Sequence, residues 1–217
     1  MPATALPIPK EKEPAIPAHP LIELSESPLV FDSTWEFYLD LRNLFDEHGR
    51  TRTKLTFYDG VLEIMSPPVS EDHESRQGNI SRIVDYFCLE LDITYDSLGG
   101  TTWLLPERRG AEADASYIFG ERGPKKYPDL VIEVKITSGG IDKLDVYAPY
   151  EIPEVWVWEN GVLHQFEFVS GSYAEIEESK LLPGLPKKWI EEISGIRPAS
   201  DAVKELRSRL AERAQSS

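Results

Sequence analysis

The chain has 217 residues, 41% of them hydrophobic, which suits one domain with a real core. Its formal net charge of −15 argues against a general polyanion binder, so any nucleic-acid contact must find positive charge locally. A single cysteine excludes an intrachain disulfide, no apolar run reaches the roughly 18 residues of a bilayer span, and no signal-peptide pattern is present. A cytoplasmic protein without membrane contact is the expectation.

Residues 1–20 hold six prolines and few large apolar groups, so 1–28 reads as a disordered or extended, Pro-rich arm. The domain itself is expected over 29–198. In "STWEFYLDLRNLFDEH", Trp35, Tyr38, Leu39, Leu41 and Phe45 recur at roughly helical spacing behind the cap candidate Ser33. "KLTFYDGVLEIM" reads as a hairpin turning at Asp59-Gly60, with Glu63 on its exposed face. After the turn "SPPVS", a long amphipathic helix runs from about Glu71 to Leu91. Its apolar face is Ile80, Ile83, Val84, Phe87 and Leu91, with Cys88 as core.

"ITYDSLGGTTWLL" gives two short strands around Gly99-Gly100. "EADASYIFG" and "PDLVIEVKI" follow as two more, joined by the loop "ERGPKKY". A short helix near 141–150 precedes "EVWVWE" and "LHQFEFV", which turn at Asn160-Gly161. Trp156 and Trp158 share a strand face, and core packing is the expectation for both. A charged helical tail closes the chain over 199–217. The layout predicts an α/β fold with a mixed β-sheet core flanked by helices.

Within "PDLVIEVK", Glu133 and Lys135 interrupt an apolar run two residues apart, so their side chains share a face. Asp129 is too far along the strand to join Glu133 on one ion: four residues span about 13 Å. It more naturally opens the strand or ties its first turn. Asp114 is the better partner. If "ADASYIFG" and "PDLVIEVK" pair antiparallel, one register sets Asp114 opposite Glu133 and another sets it opposite Lys135. Directly opposed Cβ atoms lie about 5 Å apart. Two carboxylates and the Val134 carbonyl then make a hard, oxygen-rich site for Mg²⁺ or Mn²⁺, with Lys135 to hold water or stabilise a phosphoryl group.

An acid, a hairpin and then Glu-X-Lys resembles the PD-(D/E)XK nuclease superfamily. The stretches "YDGVLEIMSPP", "LGGTTW", "EADASYIF", "PDLVIEVKIT" and "DKLDVYAPYEIPEVWVWENGVL" resemble its Uma-type branch of bacterial restriction endonucleases, over about 53–163. The resemblance implies a restriction-endonuclease-like fold and Mg²⁺-dependent DNA cleavage, with Asp114 and Glu133 as acids and Lys135 as the lysine. Ala113 stands where the family's acid usually follows proline. Thr56 stands where many relatives carry a glutamate, and Lys135 is kept where many replace it.

His73 and Glu74 open the long helix, from which either would reach the metal site. The bland alternative has Glu74 meeting the helix dipole and His73 on the surface. Lys143 offers a second ammonium, or a solvated helix charge. Arg108, Arg109, Arg122, Lys125 and Lys126 surround the hairpin as a mixed loop or a local phosphate contact. A homodimer is expected by analogy, since cutting two strands with one-site subunits calls for a pair. The rival to the nuclease is a non-catalytic binding or regulatory module on the same fold, its acidic surface facing a protein partner.

Overall fold

The computed structural model describes residues 28–47, 53–65, 71–105, 109–121, 123, 125–135 and 140–216. The Pro-rich arm, the turn at 66–70 and the loop residues Arg108 and Arg122 lie outside them.

The first element among the described residues is an unpredicted four-residue strand, β1 (Leu29–Asp32). The first helix, α1 (Trp35–Glu47), is capped by Thr34 rather than Ser33. The Thr34 hydroxyl accepts the Phe37 N–H at 3.2 Å. The predicted hairpin forms as β2 (Lys54–Tyr58) and β3 (Val61–Met65). Asp59 and Gly60 adopt φ of 41° and 89°, the left-handed pair that suits a two-residue turn. The long helix α2 (Glu71–Glu90) buries Ile80, Ile83, Val84, Phe87 and Cys88, the predicted stripe except for Leu91, which falls just past the helix end and is half exposed.

Around Gly99-Gly100 the two predicted strands exist, β4 (Tyr95–Ser97) and β5 (Thr102–Leu105), but they do not pair with each other. "EADASYIFG" is likewise divided between β6 (Arg109–Glu112) and β7 (Ala115–Phe119). Then come β8 (Leu130–Lys135), α3 (Lys143–Tyr147) with a 3-10 turn over Ala148–Tyr150, β9 (Glu154–Glu159) and β10 (Val162–Val169). Two elements without strong periodicity, β11 (Ser172–Ile176) and α4 (Lys187–Ile193), precede the tail helix α5 (Ala199–Ser216).

The strands make two sheets, in the orders β1-β3-β2-β6-β5 and β11-β10-β9-β8-β7-β4. Among the described residues only β8 and β9 run parallel; α3 lies on the connection between them. The predicted mixed sheet is therefore the larger of two, and the smaller carries the N-terminal hairpin. The chain crosses between them three times, through α2, at Gly99-Gly100 and at Ala113-Asp114.

Three apolar clusters hold the layers together. On one face of the larger sheet, α2, α4 and α5 bury Ile80, Phe87, Trp156, Ile190 and Leu206. On its other face, Val131, Val155 and Val157 meet α3 and the smaller sheet through Tyr147, Trp103 and Ala111. Each large apolar side chain so buried contributes roughly 1.5–3 kcal/mol. The third cluster packs α1 on the hairpin through Tyr38, Leu55, Phe57 and Leu62. Gly110 admits Tyr38, since a Cβ there would collide with the phenol ring. Both tryptophans of "EVWVWE" are core, as expected, and so are its valines, because β8 and β9 are covered on both faces. Among the described residues no helix is long and apolar enough to cross a membrane.

Candidate active site

The register of β7 on β8 pairs Ala115 with Ile132 and Ser116 with Val131. One step further along, Asp114 stands opposite Glu133, the first of the two registers considered from sequence. Asp114 sits where the chain leaves the smaller sheet and enters the larger one, so its side chain faces the seam between them. Its Oδ2 accepts the Val134 N–H at 2.7 Å, and its carbonyl accepts the Gln77 amide at 3.1 Å. The acid is thus fixed on β8 and on the first turns of α2 together.

Glu133 lies on the face of β8 that meets α3, only 6% exposed. The Tyr147 hydroxyl donates to its Oε1 at 2.5 Å. Its other oxygen has no hydrogen-bond partner among the described residues. Burial, and then the neighbouring Asp114 carboxylate, push Glu133 up to about 7. Burial also opposes charge on Asp114. There the Lys54 ammonium and His73 outweigh it and hold the carboxyl well below the usual range.

Lys54, at the start of β2, reaches across the seam to Asp114 Oδ1. Burial disfavours its charge, yet Asp114 and Glu133 together raise its proton affinity above that of an ordinary lysine. His73 Nε2 lies 3.7 Å from Asp114 Oδ2, so the first turn of α2 does reach the acid pair. Burial opposes the imidazolium, but Asp114 prevails and raises its pKa. Glu74 points away: its side chain is exposed and meets neither acid.

Lys135 is half-buried, two residues from Glu133, and among the described residues its ammonium has no ion-pair or hydrogen-bond partner. The simple Glu133–Lys135 salt bridge is therefore not formed. Lys143 is buried rather than solvated. It donates to Glu63 Oε1 at 2.6 Å and to Thr56 Oγ1 at 3.0 Å, and sits close enough to favour ionised Glu133. Glu63 was expected on an exposed face and is instead 1% exposed. Strand β3 lies between β1 and β2, and the segment entering α3 covers its second face, where Ile141 N–H donates to Glu63 Oε2 at 2.7 Å. Gly140, at φ 95°, makes that approach, because a Cβ would strike the same carboxylate. Thr56 stands directly opposite Glu63 on the hairpin, so the position without a glutamate faces one.

Asp129 takes no part. Its carboxylate accepts the Phe119 N–H at 2.8 Å and the Lys125 ammonium at 2.7 Å, tying the first turn of the strand as expected. Arg109 pairs with Asp59 at 2.8 Å and Lys126 lies over Tyr127, so these basic residues are engaged locally.

The donors facing the seam are carboxylate oxygens. Among the described residues no three His, Cys, Asp or Glu side chains converge as a ready metal cluster. Two carboxylates therefore form the acidic core of the site, with one Glu133 oxygen open. That arrangement fits a hard cation that keeps several waters. The profile of the Uma2 family, described as "Putative restriction endonuclease", matches residues 35–190. The chain belongs to the Uma2 family. The fold is accordingly the restriction-endonuclease-like α/β arrangement, and Uma2 membership points to nuclease chemistry. No curated protein matches the chain. The Uma2 match spans α1 to α4, and so includes every residue of the seam named above.

Proposed function

We propose that this Uma2 protein is a Mg²⁺-dependent endonuclease that hydrolyses DNA phosphodiester bonds, with Asp114 and Glu133 as the ion's ligands and Lys135 beside them. One observation carries this reading: two buried carboxylates stand face to face, and burial and the charge of Asp114 hold Glu133 at an unusually high proton affinity despite the lysines nearby. A non-catalytic module gains nothing from that arrangement, since burying two like charges side by side costs stability.

Asp114, Glu133 and the Val134 carbonyl would hold Mg²⁺ or Mn²⁺. When bound, the ion supplies Lewis-acid polarisation of the phosphate and a more acidic water. Lys135, whose ammonium has no partner among the described residues, orients the attacking water and meets the charge that grows on the phosphoryl oxygens. His73 keeps Asp114 ionised and aimed. Lys143 acts at one remove, through Glu63, by fixing the segment that brings Tyr147 to Glu133. A homodimer would present two such sites to the two strands.

The test is cleavage of plasmid and single-stranded DNA with Mg²⁺ or Mn²⁺, wild type beside Lys135→Ala and Asp114→Ala. Metal-dependent cutting should fall by about a hundred-fold in Lys135→Ala and vanish in Asp114→Ala. Equal behaviour of all three proteins would remove the catalytic assignment.

A further inference from the structure

We infer that Lys54 is a resident cation of the acid pair, which a divalent ion must expel before it can bind. This rests on the reading of Asp114 and Glu133 as ligands and adds a residue of the other sheet to it.

The oxygens of Asp114 are both engaged. Oδ2 is held by the Val134 backbone and faces His73, whereas among the described residues Oδ1 is held by the Lys54 ammonium alone. An ion shared with Glu133 has to take an Asp114 oxygen, and the one not fixed to the strand is the one Lys54 covers. Lys54 also lies within electrostatic reach of Glu133. Its ammonium thus stands where a shared cation would, and the two positive charges repel each other strongly at such range.

Lys54 is also able to leave. It is the first residue of β2, and its side chain is 29% exposed. Lys143 differs in its burial and its ties: its side chain is 11% exposed and bonded to Glu63 and Thr56, and the Glu63 side chain is itself 2% exposed and anchored to the Ile141 backbone. One lysine is thus built to stay and the other to swing out. Once displaced, the Lys54 ammonium is free beside the ion, where a substrate phosphate would meet it.

The experiment is a Mn²⁺ titration by calorimetry at pH 8 on the full chain: wild type, Lys54→Met, Lys54→Gln, and Asp114→Asn as the non-binding control. Thermal melts verify that each is folded. The inference predicts at least tenfold tighter Mn²⁺ binding in both Lys54 variants than in wild type. Equal or weaker binding in them, with wild type still binding, overturns the inference and leaves the metal reading intact. If wild type and both variants bind no Mn²⁺, the metal reading fails and takes the inference with it. A second measurement needs no variant. Lysine acetylation of wild type, followed by peptide mass spectrometry, should show Lys54 several-fold more reactive with Mn²⁺ than without. In a protein shown to bind Mn²⁺, unchanged or reduced reactivity refutes displacement.

Discussion

Glu133→Gln is expected to stabilise the metal-free protein above pH 7 while abolishing divalent-metal binding and lowering cleavage by about a thousand-fold. The two effects share one cause. Glu133 is buried beside Asp114, so its folded-state pKa stands at about 7 against an ordinary 4.5. A raised folded pKa means that the native state holds the proton more firmly than the unfolded chain does. Stability from this group is therefore full below about pH 4.5 and is lost as pH rises through about 7. Glutamine keeps the shape and the acceptor for Tyr147 but carries no charge.

Wild type and variant should therefore melt alike near pH 4. By pH 8 the variant should lead by on the order of 2 kcal/mol. Excess Mn²⁺ at pH 8 should restore wild type by roughly 2.7 kcal/mol at a hundred times its dissociation constant, and leave the variant unmoved. Denaturant melts across pH, with and without Mn²⁺, check each part. A variant no more stable than wild type at pH 8 would show that the acid pair is not strained.

The second large effect concerns the clamp at Glu63. Glu63→Ala should cost about 3–5 kcal/mol, because it leaves the Lys143 ammonium buried without its partner and strips the Ile141 N–H of its acceptor. Replacing both ends with apolar residues of similar size, Glu63→Leu with Lys143→Met, should recover much of that loss. Cleavage should nevertheless stay low in the double variant, since α3 carries Tyr147 and the clamp sets where α3 begins. Chemical denaturation of Glu63→Leu, Lys143→Met and the double forms the cycle that checks this, with Glu63→Ala measured beside them. A loss below about 1 kcal/mol for Glu63→Ala would mean the clamp is not buried in solution.

The features that were legible in the sequence are those set by short-range periodicity. The stripe of α2, the turn at Asp59-Gly60 and the alternation of "LVIEVK" are local, and each produced the element expected. The choice of Asp114 over Asp129 was also legible, because strand rise alone separates Asp129 from Glu133. What could not be read were partners fixed by the packing of the two sheets. Lys54 meets Asp114 across sixty residues of chain, and Lys143 meets Glu63 across eighty. No local pattern marks either pair. Glu63 was misjudged for a related reason: alternation in "VLEIM" tells which side chains share a face, not whether that face is covered. Tyr147 carried no signal beyond its place in an apolar helix. β1 escaped because all four of its residues are exposed on a sheet edge, where no inward–outward pattern develops.

Cys88 gives the molecule a clock. It lies on the inner face of α2, 0% exposed, and burial, then the nearby Asp85 charge, push its thiol up to about 12. A thiol so placed is inert to a disulfide reagent at neutral pH until α2 lifts from the sheet. There is no other cysteine to blur the signal. The rate of labelling therefore times the opening of the helix that carries His73 and Gln77. Run beside hydrogen exchange, it tells whether the acid pair comes apart by a local lifting of α2 or only when the whole domain unfolds. If α2 opens alone, the site is dismantled and rebuilt many times in the life of one folded chain.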